Sequence, residues 1–163
     1  MQGSHHVRRV VGVLALGALL WLAPGCGQAE EPAEQRVESL LLADTGRLQT
    51  VTPVQVKAVL GQAGAPLIVD SRGPAEFAAG HIPGAINVPH KTIYARQAML
   101  AERGEHGIVF YCQAGVRAKF SANALREEGF RKIGVMSGHF PRWSALRYPV
   151  EFDTDAGKDA DAE

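Results

Sequence analysis

Four short apolar runs set the strongest limit on how this chain can fold. They are "PLIVD" at 66–70, "GAINVP" at 84–89, "GIVFY" at 107–111 and "KIGVM" at 132–136. Each is short for a helix and lacks the in–out alternation of a half-exposed strand, so each predicts a strand buried on both faces. Helical signals fill the gaps. Thr52-Pro53 is an N-cap followed by proline at the first helical position, opening "PVQVKAVLGQAG". "PAEFAAG" predicts one or two helical turns stopped at Gly80. Residues 90–103 read as helix, with Ile93, Met99 and Leu100 as the apolar positions. "VRAKFSANALREEGF" predicts an amphipathic helix with Phe120, Ala124 and Leu125 on one face and Gly129 at its end. A starting strand near 48–50 makes five. Buried strands alternating with helices predict an α/β fold, a parallel sheet covered by helices on both faces.

A chain of 163 residues accommodates one such domain with a substantial core. Apolar residues make up 46% and charged residues 21%, an ordinary balance for a soluble fold. Seventeen basic residues match 17 acidic ones, which argues against the basic footprint of a nucleic-acid binder. No cofactor or metal is implied.

The first 25 residues differ from the rest. Arg8 and Arg9 precede an almost wholly apolar stretch at 10–23, shorter than the roughly 20 residues of a membrane span. A positive start, a short apolar stretch and a small-residue exit predict an export signal; an uncleaved N-terminal anchor is the alternative. The stretch ends in "LAPGC", which resembles a bacterial lipoprotein signal. That resemblance implies cleavage before Cys26, lipidation of Cys26, and a periplasmic protein held at a membrane surface, the outer membrane being favoured by Gln28. Losing Arg8 and Arg9 would leave 15 basic against 17 acidic residues, a net charge of −2. Residues 26–46 then form a tether, with a short helix proposed within 36–46. Residues 47–151 form the folded domain, and 152–163 an acidic disordered tail.

Only two cysteines are present, Cys26 and Cys112. With Cys26 lipidated, Cys112 has no partner within the chain, and a leftover thiol in an exported protein is a reactive or intermolecularly paired one. In a parallel sheet, sites form beyond the carboxyl ends of the strands. Cys112 and Asp70 each stand directly after a strand, so both fall on that edge. The segment "CQAGVR" turns from strand to helix. Backbone N–H groups in such a turn can form an anion nest, the helix N-terminus adds partial positive charge, and Gly115 permits tight curvature. Arg117 adds a fixed charge with paired donors. Each feature favours a thiolate over a thiol. An isolated cysteine after a strand can also be a small buried hydrophobe.

Two motifs carry a wider resemblance. "CQAGVR" is similar to the Cys-x-x-Gly-x-Arg loop of rhodanese-family sulfurtransferases. "VDSRGPAEFAAGHIPGAINVP" at 69–89 resembles that family's N-terminal signature, through Asp70, Arg72, Glu76, Phe77, Gly80, His81, Ile82, Gly84, Ala85 and Asn87. The resemblance covers roughly residues 49–151. It implies a rhodanese-like fold, a twisted five-stranded parallel sheet with helices on both sides. It implies a catalytic Cys112 that takes sulfane sulfur from a small anionic donor such as thiosulfate, or mercaptopyruvate. A thiol or cyanide then accepts the sulfur. Gln113, Ala114, Gly115, Val116 and Arg117 would bind the substrate and the persulfide, with Asp70 and Arg72 bracing the loop and His81 structural. One position departs from the family pattern: His139 stands in Ser137-Gly138-His139 where a second glycine is usual, ahead of Trp143. It either contacts substrate or packs.

Two other functions compete. Phosphatase or arsenate reductase chemistry needs a longer loop than the four residues between Cys112 and Arg117. A sulfur carrier or partner-binding module without turnover would keep the cysteine but not the catalytic cycle.

Overall fold

The structure, a computed structural model, describes residues 42–153. Strands β1 (Gln49–Val51), β2 (Leu67–Asp70), β3 (Ile86–Asn87), β4 (Ile108–Tyr111) and β5 (Ile133–Met136) form one sheet. Its order is β1-β5-β4-β2-β3, and every pair is parallel. The helices are α1 (Pro53–Val59), α2 (Pro74–Ala78), α3 (Gln97–Arg103), α4 (Val116–Glu127) and α5 (His139–Ala145). The four apolar runs thus supply four of the five strands, and β4 and β5 are buried at every position.

Strand alternation sorts the core into two halves. Val69, Phe110 and Cys112 face one side and pack with Leu100 of α3 and Ala118, Ala122 and Leu125 of α4. Ile68, Val109 and Tyr111 face the other and pack with Val56 of α1 and Trp143 of α5. Leu42, from the segment read as tether, is buried in this second half. The remainder of the helix proposed at 36–46 and the whole export segment lie outside the described residues; Ala43–Gly46 are not helical.

Local signals explain most helix ends. Thr52 and Gln55 form a reciprocal capping box at α1, with Pro53 in the first turn. A chain reversal at Gly129 follows α4, where the Phe130 amide returns to the Leu125 carbonyl. The segment at 90–103 departs from its expected continuous helix. It breaks into two 3₁₀ turns, His90–Thr92 and Tyr94–Arg96, before α3 begins. Ile93, fully buried between the two turns, anchors this kinked path. Phe120 also departs from expectation. Ala124 and Leu125 enter the core, whereas Phe120 is half exposed at the rim of a cleft.

The carboxyl edge of the sheet is where β2, β3 and β4 end together. Asp70 pairs in register with Tyr111 on one side and Asn87 on the other. Cys112 therefore leaves the sheet one residue beyond Asp70's neighbour. Among the described residues, no helix is long and apolar enough to cross a membrane.

Candidate active site

Cys112 sits at the base of the loop that joins β4 to α4. Its side chain continues the inward alternation of Phe110, so the residue is only 1% exposed. Its carbonyl accepts a hydrogen bond from the Phe140 amide at 3.0 Å, which ties the loop to α5. The Gly115 amide donates to Cys112 Sγ at 3.0 Å. Gly115 achieves this with φ 97°, a left-handed conformation that a residue with a Cβ adopts only under strain. Gln113 and Ala114, at the crest of the loop, are exposed. The first amides of α4 have no partner within a helix, so Val116 and Arg117 present N–H groups on the same turn. Gln113, Ala114, Gly115, Val116 and Arg117 thus follow Cys112 along the loop and into the first turn of α4.

Arg117 is engaged. Its Nη1 and Nη2 donate to the two carboxylate oxygens of Glu76, at 2.5 and 2.9 Å. These bonds hold the Glu76 carboxyl down to about 2, with the Gly73 amide helping and partial burial opposing. Glu76 belongs to the N-terminal motif, but no role for it was legible, because its partner lies 41 residues away. The ion pair fastens α2 to the start of α4.

Asp70 and Arg72 form a buried pair, with Nη2 to Oδ2 at 2.6 Å and Nε to Oδ2 at 2.8 Å. Arg72 also donates to the Gly80 carbonyl and lies 4.1 Å from the centre of the Phe140 ring. The pair therefore braces α5 and the 70–80 turn, and reaches Cys112 through the Phe140 amide. Asn87 adds side-chain hydrogen bonds to the carbonyls of Asp70 and Arg72. Burial, and then the charge of Asp70, push the Tyr111 phenol well above its ordinary value, and its oxygen accepts from the Ile82 amide. His81 stacks on Phe77 at 3.7 Å and its Nδ1 meets the Phe77 carbonyl at 3.0 Å, a packing position away from the loop.

Two contacts escaped sequence reading. His139 lies against Gly115: a side chain begun at Gly115 would place its Cβ 2.6 Å from His139 Nε2. Beside the loop, a cleft of about 420 Å³ is lined by His90, Lys91, Tyr94, Val116, Arg117 and Phe120. Neither could be found from the chain alone, since both join segments remote in sequence. Among the described residues, no group of three or more His, Cys, Asp or Glu side chains is placed to hold a metal ion.

A parallel sheet delivers one thiol to a tight amide-rich loop with an arginine at the helix start, which sets the chain among α/β proteins that carry a cysteine loop at the carboxyl edge of the sheet. The match of residues 52–146 to the rhodanese-like domain identifies the class further. A Bacillus subtilis protein named YqhL is 36% identical over 76 residues, 47% of this chain and 59% of its own length. A thiosulfate sulfurtransferase of Pseudoalteromonas translucida is 32% identical over 79 residues, 48% of this chain and 73% of its own. A rhodanese-like domain from Anabaena has the same fold, with a TM-score of 0.58 at 23% identity over 72% of this chain and 89% of that one. The chain belongs to the rhodanese-like domain family, a family with sulfurtransferases among its members. It spans 59% of the length of the Bacillus subtilis relative.

Proposed function

We propose that the protein is a sulfurtransferase that carries sulfane sulfur on Cys112. The Cys112 thiolate attacks the outer sulfur of thiosulfate. The new S–S bond forms as the old one breaks, and sulfite leaves with the electron pair. A thiol acceptor, as its thiolate, then attacks the outer sulfur of the Cys112 persulfide and regenerates the Cys112 thiolate. Two displacements through one covalent intermediate give ping-pong kinetics.

The observation that carries this reading is the size of the loop. Only four residues separate Cys112 from Arg117, and the Gly115 amide already points at Sγ from 3.0 Å. Such a loop suits a sulfur atom and leaves little room for a phosphoryl group. The amides of residues 113–117 would hold the persulfide's charge, and Arg117 would draw the anionic donor toward the loop. Asp70 and Arg72 act through packing. The Pseudoalteromonas relative's name supports thiosulfate as donor; mercaptopyruvate is the other anion that fits.

The sequence of the first 26 residues supports export and a lipid on Cys26, which would place this chemistry at a periplasmic membrane surface. An assay with thiosulfate and with mercaptopyruvate, comparing the native chain with Cys112→Ser, tests the function. Turnover that survives Cys112→Ser contradicts it. So does hydrolysis of para-nitrophenyl phosphate that Cys112→Ser abolishes.

A further inference from the structure

His139 is the one site-adjacent residue whose backbone is under strain. Its φ is 51°, a left-handed value costly for a side chain with a Cβ, although histidine tolerates it better than most. It follows Gly138, which is left-handed as well with φ 65°. Two successive left-handed residues turn the chain into α5 so that the imidazole lies over Gly115. Strain held at a site is a reason to ask what the side chain does there.

The ring has a defined orientation. Nε2 is the atom that faces Gly115, the residue whose amide bonds Cys112 Sγ. Nδ1 is buried and has no hydrogen-bond partner among the described residues. A bare lone pair is the less costly group to leave in that position, so the ring proton belongs on Nε2. Burial, and then the charge of Lys119, push the imidazole below its usual range and keep it neutral in neutral solution. The result is a neutral N–H donor at the rim of the sulfur loop.

Arg117 sharpens the need for such a donor. Both of its terminal nitrogens are bound to Glu76, so its charge is partly offset where the substrate anion must sit. A donor that brings no charge and no carboxylate partner adds recognition without competing with that pair.

We infer that His139 is a substrate-binding residue whose Nε2–H hydrogen-bonds the oxyanion end of the sulfur donor, sulfite-like in thiosulfate, as it docks on the Cys112–Arg117 loop. This rests on the sulfurtransferase reading, because it names that reaction's donor. It adds a contact from α5 to a site otherwise built from the loop and α4.

The test is thiosulfate binding by titration calorimetry to the full chain carrying Cys112→Ser, which binds without turning over. His139→Phe is added to keep the ring and remove the N–H. His139→Gln is added to keep an N–H, and His139→Gly to remove the side chain and relieve the backbone. Loss of a hydrogen bond to a charged ligand predicts about tenfold weaker binding for His139→Phe and His139→Gly, with His139→Gln retaining most of the affinity. His139→Gly also raises the thermal midpoint, so weak binding there cannot be ascribed to misfolding. With Cys112 restored, His139→Phe and His139→Gly raise KM for thiosulfate more than they lower kcat, and His139→Gln changes neither by much. If His139→Phe binds thiosulfate as tightly as the His139 protein, the ring merely seals the loop and the inference is overturned. Absence of thiosulfate binding to Cys112→Ser overturns it too. A native chain that binds thiosulfate through His139 but never acquires sulfur overturns the sulfurtransferase reading alone.

Discussion

Gly115 is the residue on which the loop's geometry turns. Its φ of 97° brings its amide to Cys112 Sγ, and its bare Cα makes room for the His139 ring. Gly115→Ala meets both obstacles. It should lower stability by about 1–3 kcal/mol and reduce sulfur transfer at least tenfold. Thermal unfolding together with a sulfur-transfer assay checks this; a variant equal to the native chain in both would contradict it. Glu76 makes a different prediction. Its carboxyl is held down to about 2 in the folded chain, from an ordinary value of 4.5. A depressed carboxylate stabilises the fold above its unfolded value, and that contribution fades as pH falls toward its folded value. Stability should therefore drop more steeply from about pH 5 to about pH 2 in the native chain than in Glu76→Gln. Parallel slopes in acid unfolding experiments would show that the pair with Arg117 adds nothing. Cys112, Gly115 and Arg117 were legible in sequence because the loop that joins them is local. Glu76, His139 and Phe140 were not assigned to the loop, because only folding brings them there.

The elements differ in how plainly their sequences announced them. β2, β4 and β5 are central strands buried on both faces, and uninterrupted apolar runs are what such burial requires. β3 is only two residues long, since Pro89 halts it and it lies at the sheet's edge. The 90–103 segment misled for a physical reason. Its apolar positions satisfy a helical period, but Pro89 precedes it and Ile93 is drawn inward, so tertiary packing overrides local preference there. The turn after β2 depends on the Asp70–Arg72 charge pair, which the structure buries. Asp70→Ala leaves the Arg72 guanidinium without its carboxylate at 4% side-chain exposure. That should cost about 3–5 kcal/mol in denaturant unfolding. Replacing both residues, as in Asp70→Ala with Arg72→Met, should recover part of the loss. A single substitution with no measurable cost would remove the pair from the account of how α5 and the loop are held.

At the scale of the whole molecule, the sheet acts as a partition. One half of the core holds α3 and α4 against it, and the other holds α1 and α5. Cys112 projects into the first half, while its carbonyl is gripped from the second through Phe140. The loop is thereby held from both faces at the carboxyl edge of the strands, the edge where sites form in open α/β sheets. Where the chain works is a separate question, carried by its first 26 residues. If Cys26 bears lipid, the native protein should partition with membranes and be released by detergent, and Cys26→Ser should move it to the soluble fraction. An identical distribution of the two would count against the anchor.

The central claim is that Cys112 carries sulfur, and intact-mass measurement after exposure to thiosulfate tests it most directly. The native chain should gain the mass of one sulfur atom, lose it again on addition of a thiol or cyanide, and show neither change once Cys112→Ser is made. A native chain that takes up no sulfur, or a Cys112→Ser chain that still does, would contradict the account.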